Sequence, residues 1–172
     1  WMLNGVLVTF LVDNQLFSWG PVEIGWLLGI PVLTGAIFRL PAGILTDKFG
    51  GRPMFTLLLL FSAIPMFLLS QVNGFLGFAL CSFGFGLTGA GFAIGIAFTS
   101  VWYPIKWQGT ALGIFGAGNA GAAITTLFAP TLLEKLTDDG MNLEGWRILP
   151  MIYAGALVIT AIIFFLGTKN RK

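Results

Sequence analysis

Long apolar runs alternate along this chain with short patches that hold the charged and turn-forming residues. The runs cover residues 1–12, 25–46, 54–70, 75–102, 110–133 and 148–166. A helix rises about 1.5 Å per residue, so each of the last five runs is long enough to cross a hydrocarbon layer of about 30 Å. The first run is too short to cross, and we expect a helix that is truncated at its start. The pattern predicts an all-α membrane protein with six crossings.

The composition agrees with a surface that faces lipid. Apolar residues make up 56% of the chain and charged residues only 9%, whereas a water-soluble domain needs about a quarter of its residues charged. Membrane lipid is therefore an expected partner. The runs are continuous rather than alternating, which disfavours a β-barrel. Glycine and proline inside the runs are tolerated because hydrocarbon offers the backbone no hydrogen-bond partner outside the helix.

The same composition excludes several classes of function. The net charge of +2 is small and its basic residues are scattered, so we expect no nucleic-acid partner. Cys81 is the single cysteine and histidine is absent, which leaves no parts for a disulfide framework or a metal site. No nucleophile and base occur together at membrane depth. We expect neither an enzyme nor a metal or cofactor.

The distribution of basic residues predicts the orientation in the membrane. Short loops rich in Lys and Arg remain in the cytoplasm. If the first crossing runs outward, the inner loops and tail hold Lys48, Arg52, Lys106, Lys169, Arg171 and Lys172. The outer loops hold only Lys135 and Arg147. This imbalance predicts a multi-pass protein of the cell (inner or plasma) membrane, with both termini in the cytoplasm.

Arg39 is the one basic residue inside a predicted crossing. It lies about eight residues, or about 12 Å, from the inner end of the second run, which is near mid-bilayer. The nearest carboxylate in sequence, Asp47, is two turns away, and an unpaired guanidinium can bind a planar oxyanion with two parallel hydrogen bonds. The alternative is a side chain that reaches the cytoplasmic surface or bonds carbonyls freed by Pro41. Because ionisable groups inside membranes are by default functional, we favour the anion site.

Small residues on the fifth and fourth runs predict close approaches between helices. Gly109, Gly113, Ala117 and Gly121 recur every four residues on the fifth run, which lets another backbone or a small ligand come close. Asn119 lies at about the depth of Arg39, and its amide can hydrogen-bond either an anion or a neighbouring helix, so both interpretations stay open. For the fourth run we predict helix packing and no chemistry at Gly84, Gly86, Gly89, Gly91 and Gly95.

A charged turn separates the second and third runs. It reads Gly43-Ile-Leu-Thr-Asp47-Lys48-Phe-Gly50-Gly51-Arg52. Its glycines allow a tight turn, and the carboxylate and guanidinium can pair with each other or with the ends of neighbouring helices. We interpret the segment as a latch between two conformations.

The same segment resembles the loop motif of the major facilitator superfamily, Gly-x-Leu-x-Asp-x-x-Gly-x-Arg. The motif is matched here by Gly43, Leu45, Asp47, Gly50 and Arg52. Within that superfamily the chain is similar to the nitrate/nitrite porters. This second resemblance rests on residues 38–52 and 102–121, which carry the intramembrane arginine and the glycine-rich fifth run.

The resemblance implies a twelve-helix fold of two six-helix halves, in which residues 1–172 form a single transmembrane domain, the N-terminal half. It implies nitrate or nitrite as the substrate, held at the midplane between one arginine from each half. On that pattern Arg39 is the anion clamp of this half, and Asn119 lines the site together with Gly116 and Gly118.

The mechanism that the resemblance implies is alternating access, in which one half rocks against the other around the bound anion. The second half could be covalently linked, encoded separately or a second copy. No Asp, Glu or His lies inside a predicted crossing, so this half offers no evident proton carrier. Some members carry a further Asn where this chain reads Ile114-Phe115, which leaves the anion contacts open. The alternatives are a transporter of another small anion, such as formate or oxalate, or a non-transporting half-length membrane protein.

Overall fold

The computed structural model describes residues 2–138 and 141–170, and within these two ranges its regular structure is entirely helical. The membrane helices are α1 (Met2–Asp13), α2 (Pro21–Phe49), α3 (Gly51–Leu69), α4 (Phe75–Trp102), α5 (Ile105–Leu136) and α6 (Ile148–Gly167). A 3₁₀ turn, Leu143–Arg147, leads into α6. The predicted all-α class is confirmed. Trp1, Arg171 and Lys172, on which the sequence-based expectations partly rest, lie outside the described residues.

Five of the described helices are long and apolar enough to cross a membrane, namely α2 to α5 and Leu143–Gly167. α1 is apolar but has only 12 residues. The chain is therefore a multi-pass membrane protein.

α2 and α5 extend at both ends beyond the apolar runs that predict them, whereas α4 coincides with its run. α2 begins four residues before residue 25 and ends three residues after residue 46. At its start the Gly20 amide donates to Glu23 Oε2 at 2.8 Å, which closes the first turn. A hydropathy pattern ends where the charged residues begin, but the helical backbone continues through them, because polar side chains at a helix end can reach the headgroup region.

The most extensive helix pairs are α2 with α4, α3 with α6 and α3 with α4, and α1 packs mainly against α5. A buried apolar core lies where the second half of α1 meets the start of α4, and it includes Leu7, Leu11, Phe78 and Trp146. α5 contributes little to that core, since most of its described side chains are partly or fully exposed.

Side-chain to backbone bonds tie the loops together at each end of the bundle. At one end Arg52 donates to the Phe165 carbonyl, and Asn170 Nδ2 donates to the Phe49 carbonyl at 3.2 Å. At the other end Arg147 donates to the Ser70 carbonyl at 2.8 Å. The turn between α2 and α3 therefore lies at the same end as the close of α6, as alternating crossings require.

Two helices change their winding part-way along. α4 passes through a 3₁₀ stretch at Leu87–Ala90. α5 is interrupted after Ala117 and resumes at Ala120. Across the interruption the backbone bonds join residues three positions apart, as where the Asn119 N–H donates to the Gly116 carbonyl at 3.0 Å. The apolar pattern of the fifth run gives no sign of this interruption. Short 3₁₀ segments inside long helices often mark functional positions.

Candidate functional site

Arg39 lies on α2, ten residues before the last helical residue Phe49, or about 15 Å along the axis. Gly35 lies one turn before Arg39 on the same face of α2. A Cβ atom added at Gly35 would stand 3.0 Å from both the Gly86 oxygen and the Gly89 Cα. The missing side chain therefore lets the backbones of α2 and α4 touch, and this contact sets Arg39 directly against α4.

The guanidinium of Arg39 is only partly engaged. Its Nε donates to the Gly89 carbonyl at 3.3 Å. Its two terminal amino groups make no hydrogen bond to any residue between 2 and 138 or between 141 and 170, and no carboxylate in those ranges comes within ion-pair distance. The ion pair that the structure does contain there joins Arg147 to Glu144. Arg39 thus keeps its two-pronged donor face free for a ligand.

That donor face borders a cavity of about 520 Å³ between α2, α3, α4 and α5. The lining residues are Pro31, Val32, Gly35, Arg39, Phe55, Thr88, Gly89, Gly91, Phe92, Phe115, Gly118 and Asn119. Arg39, Gly118 and Asn119, which were predicted from the sequence to share a site, lie around one cavity. Both 3₁₀ segments also border it. Backbone groups near such tight turns can face a cavity instead of being enclosed by a helix.

A larger cavity of about 720 Å³ lies between α1 and α5. Asp13 and Glu134 border it, and no Lys or Arg is among its lining residues. The two carboxylates would repel an anion, so the larger cavity is the poorer candidate for an anion site despite its volume. The Arg39 cavity is the candidate site for an anion.

Some residues predicted for the site lie away from it. Gly116 does not border the Arg39 cavity. At Gly109, Gly113 and Gly121 an added Cβ would meet no atom within 4 Å in the described part of the chain. The face of α5 that carries these glycines has no partner helix here, so its packing role stays a prediction.

Two of the five glycines predicted to pack on α4, Gly91 and Gly95, have close neighbours on α3 and α5. A Cβ at Gly91 would stand 3.2 Å from Leu58 Cδ2. A Cβ at Gly95 would overlap the ring of Phe115, which lies 5.7 Å from the Phe92 ring, centroid to centroid. These glycines make room for α3 and for an aromatic side chain from α5.

Several cavity residues were not predicted from the sequence. Gly89 accepts the hydrogen bond of Arg39, and Thr88, Phe55, Phe92 and Phe115 form much of the wall. Gly89 was assigned to packing only, because a backbone acceptor leaves no mark on a sequence. Phe115 stands where related porters were expected to carry a polar residue, and that departure was the one signal pointing to it.

The charged turn between α2 and α3 is held by its glycine and its arginine. Gly50 has a φ of +94°, a conformation that favours glycine. Arg52 donates to the Phe165 carbonyl at 2.9 Å and 2.6 Å and stacks over the ring of the same residue at 4.0 Å. The predicted pairing with a helix end is formed, whereas the alternative Asp47–Arg52 pair is absent. Asp47 is exposed and bonds no described residue, and Gly43 has open space beside it.

The described residues contain no group of three or more side chains that could hold a metal ion. The chemistry available at the Arg39 cavity is thus that of a cation, an amide and backbone dipoles. Such a set binds and orients an anion, and it contains no nucleophile with an adjacent base.

Comparison with known proteins supports a membrane transporter. The family model described as Major Facilitator Superfamily matches residues 1–172. The chain is 38% identical over 175 residues to "Probable nitrate/nitrite antiporter NarK1" of Thermus thermophilus, covering 99% of this chain and 39% of that protein. It is 31% identical over 173 residues to "Nitrite extrusion protein" of Bacillus subtilis, covering 100% of this chain and 41% of that protein.

A third relative, "Probable nitrate transporter NarT" of Staphylococcus epidermidis, is 32% identical over 171 residues, covering 99% of this chain and 42% of the relative. The chain therefore spans about two fifths of the length of the curated relatives it matches. No solved structure gives a significant match. The expected resemblance to the nitrate/nitrite porters is confirmed, and these relatives are named as transporters. With the family model matching its whole length, this chain belongs to the major facilitator superfamily.

Proposed function

We propose that the chain is the N-terminal six-helix half of a transporter that moves nitrate or nitrite across the cell membrane by alternating access. The names of its relatives support the substrate, and their greater length supports a second half. In this proposal the anion binds near the bilayer midplane against Arg39. The second half rocks about this site and completes it from the opposite side.

One observation carries the proposal: Arg39 borders a cavity, and neither of its terminal amino groups bonds any of the described residues. Placing a charged side chain at the centre of a membrane helix costs at least about 2.5 to 3.5 kcal/mol on insertion scales. The single bond to the Gly89 carbonyl uses one of five N–H donors. An oxyanion in the cavity would neutralise the charge and accept two of the remaining donors.

The neighbouring residues suit a small anion. Asn119 can donate from its amide, and Gly118 puts backbone rather than a side chain at the cavity wall. Gly116 does not line the cavity, so the proposed contacts rest on the other two and on Arg39. A carboxylate such as formate or oxalate offers the same pair of oxygens, and the experiment below tests it as the competing substrate.

The orientation and the latch belong to the same proposal. Lys48, Arg52, Lys106 and Lys169 are assigned to the cytoplasmic side with both termini, and of the two outer cations Arg147 is neutralised by Glu144. We propose that the turn at Gly43, Asp47, Gly50 and Arg52 is a conformational latch. Arg52 is engaged with α6 within this half, which leaves the exposed Asp47 to meet the second half.

The test measures uptake of isotopically labelled nitrate by cells expressing the intact transporter that contains this chain, with formate and oxalate as competitors. Arg39→Lys keeps the charge but removes the planar two-pronged donor. Losing one charge-assisted hydrogen bond should raise the KM for nitrate about 10- to 100-fold. The matched control is Lys106→Gln, which removes an exposed cation at the start of α5 and should leave uptake unchanged.

Each result bears on the proposal. Nitrate uptake by Arg39→Lys equal to that of the parent would show that anion binding does not need the guanidinium. Stronger competition by formate or oxalate than by unlabelled nitrate would assign the site to a carboxylate. Absence of labelled nitrate uptake by the parent transporter would favour one of the two alternatives, a transporter of another small anion or a non-transporting membrane protein.

A further inference from the structure

The residues of α2 that contact α4 recur every four positions and form a single stripe along the helix. Pro31 touches Gly86, since a Cβ added at Gly86 would stand 2.6 Å from Pro31 Cα. One turn further, Gly35 touches Gly86 and Gly89, and one turn beyond that Arg39 bonds the Gly89 carbonyl. The stripe is mostly backbone against backbone, so it has little side-chain freedom to absorb a shift.

The stripe begins one turn earlier, at Leu27, with a polar contact to α1. Proline has no N–H, so Pro31 cannot donate to the Leu27 carbonyl four residues before it. The Asn4 side chain takes the place of that missing donor: its Nδ2 donates to the Leu27 carbonyl at 2.7 Å. An intramembrane carbonyl that would otherwise be unpaired is thereby satisfied by a neighbouring helix.

Asn4 also reaches α4. Its Oδ1 accepts a hydrogen bond from Ser82 Oγ at 3.3 Å, and Ser82 stands one turn before Gly86 on α4. Asn4 is 1% exposed and Ser82 is fully buried. Asn4 therefore joins α2 and α4 at the point where their close contact starts, enclosed in the apolar core.

We infer that Asn4 is a positioning residue for the anion site: it supplies the hydrogen bond that Pro31 cannot make, and so fixes the stripe that ends at Arg39. The role of Arg39 in this inference rests on the proposed function. Leu27 and Arg39 are 12 residues apart, or about 18 Å along the helix. Because the intervening contacts are rigid, a change in the angle of α2 at Leu27 moves the guanidinium relative to Gly89.

The bond itself is tested by a double-mutant cycle on the purified intact transporter in detergent, with thermal unfolding as the readout. Asn4→Leu keeps the side-chain size but removes the donor, and we expect a melting temperature lower by about 4 to 8 °C. Pro31→Ala returns a backbone N–H to the Leu27 carbonyl. In that background Asn4→Leu should cost less than half as much. The matched control is Ser62→Ala, because Ser62 Oγ is buried with no hydrogen-bond partner among the described residues, and its loss should cost about 1 °C or less.

The positioning role is tested by a spin-label distance between residue 44 on α2 and residue 101 on α4, with Cys81→Ala as background. Ile44 and Val101 are exposed, so the labels should not disturb the fold. Asn4→Leu should shift this distance by about 2 Å. The double variant should recover stability, because the backbone N–H of residue 31 then bonds the Leu27 carbonyl in place of Asn4.

Two outcomes would overturn the inference. An equal loss of melting temperature on Asn4→Leu with and without Pro31 would show that Asn4 does not replace the donor that proline lacks. An unchanged 44–101 distance in Asn4→Leu would show that Asn4 does not position α2. Neither measurement uses an anion, so failure here is separate from failure of nitrate uptake.

Discussion

Gly86→Ala should separate α2 from α4 and destabilise the fold. The added methyl would stand 2.6 Å from Pro31 Cα and 2.8 Å from the Pro31 oxygen. Carbon atoms in contact prefer about 3.5 to 4.0 Å, so the helices must part by about 1 Å. Both opposing atoms are backbone, and neither can rotate away. Overpacking of this kind costs about 1 to 3 kcal/mol, which for a chain of this size lowers the melting temperature by about 3 to 10 °C.

The separation should also loosen Arg39. Its bond to the Gly89 carbonyl is already 3.3 Å long, and a further movement of about 1 Å would break it. Thermal unfolding followed by circular dichroism measures the stability, and nitrate uptake by the intact transporter measures the effect on the site. Gly29→Ala is the control, since Gly29 lies on α2 with open space where the Cβ would stand.

Gly86 and Gly29 both lie in membrane helices, and they differ in that only at Gly86 would the added Cβ meet the backbone of another helix. A melting temperature for Gly86→Ala within about 1 °C of the Gly29→Ala value would show that the α2–α4 contact is not rigid. That result would refute the reasoning for the stripe as a whole.

Two further predictions concern the ends of the bundle. Gly50→Ala should lower the free energy of unfolding by about 1 to 2 kcal/mol, because the φ of +94° is strained for alanine and the added Cβ would overlap the Asn170 side chain. A loss equal to that of Gly155→Ala, where the Cβ has open space, would contradict this prediction. Arg147→Lys should speed amide hydrogen exchange in the turn after α3 about tenfold, since Arg147 donates to the carbonyls of Ser70 and Val72. Exchange no faster than in the control Lys135→Gln would show that Arg147 does not hold this turn.

The crossing helices could be predicted from hydropathy because the membrane requires about twenty apolar residues for each of them. The ends of α2 could not, since Glu23 and Lys48 lie within its helical turns although they end its apolar run. The change of winding at Gly118 and Asn119 was also missed. Glycine-rich helical and 3₁₀ segments have the same composition, and the choice between them depends on neighbours such as Phe115.

The candidate site could be predicted as far as its charged group. A lone arginine in an apolar run is conspicuous, and the structure places Arg39 beside a cavity with Asn119. Its partner Gly89 could not be predicted, because every residue offers a carbonyl and only the packing selects one. Asn4 was missed because it lies in a run judged too short to cross. The combination of a lone Asn with Pro31 on the next helix is the signal that could have indicated it.

The polar groups around the cavity argue against a half that functions alone in lipid. Arg39 and Asn119 are both exposed in the described chain, and so is much of α5 at the same depth. Hydrocarbon can neither accept a hydrogen bond from a guanidinium nor donate one to an amide, so these groups facing lipid would each cost several kcal/mol. A second six-helix unit packed on this face would exclude lipid and let the small residues Gly109, Gly113 and Gly121 approach a partner helix. The same surface therefore supports both the proposed anion site and the proposed second half, and a cross-link between α5 and that half should form only through this face.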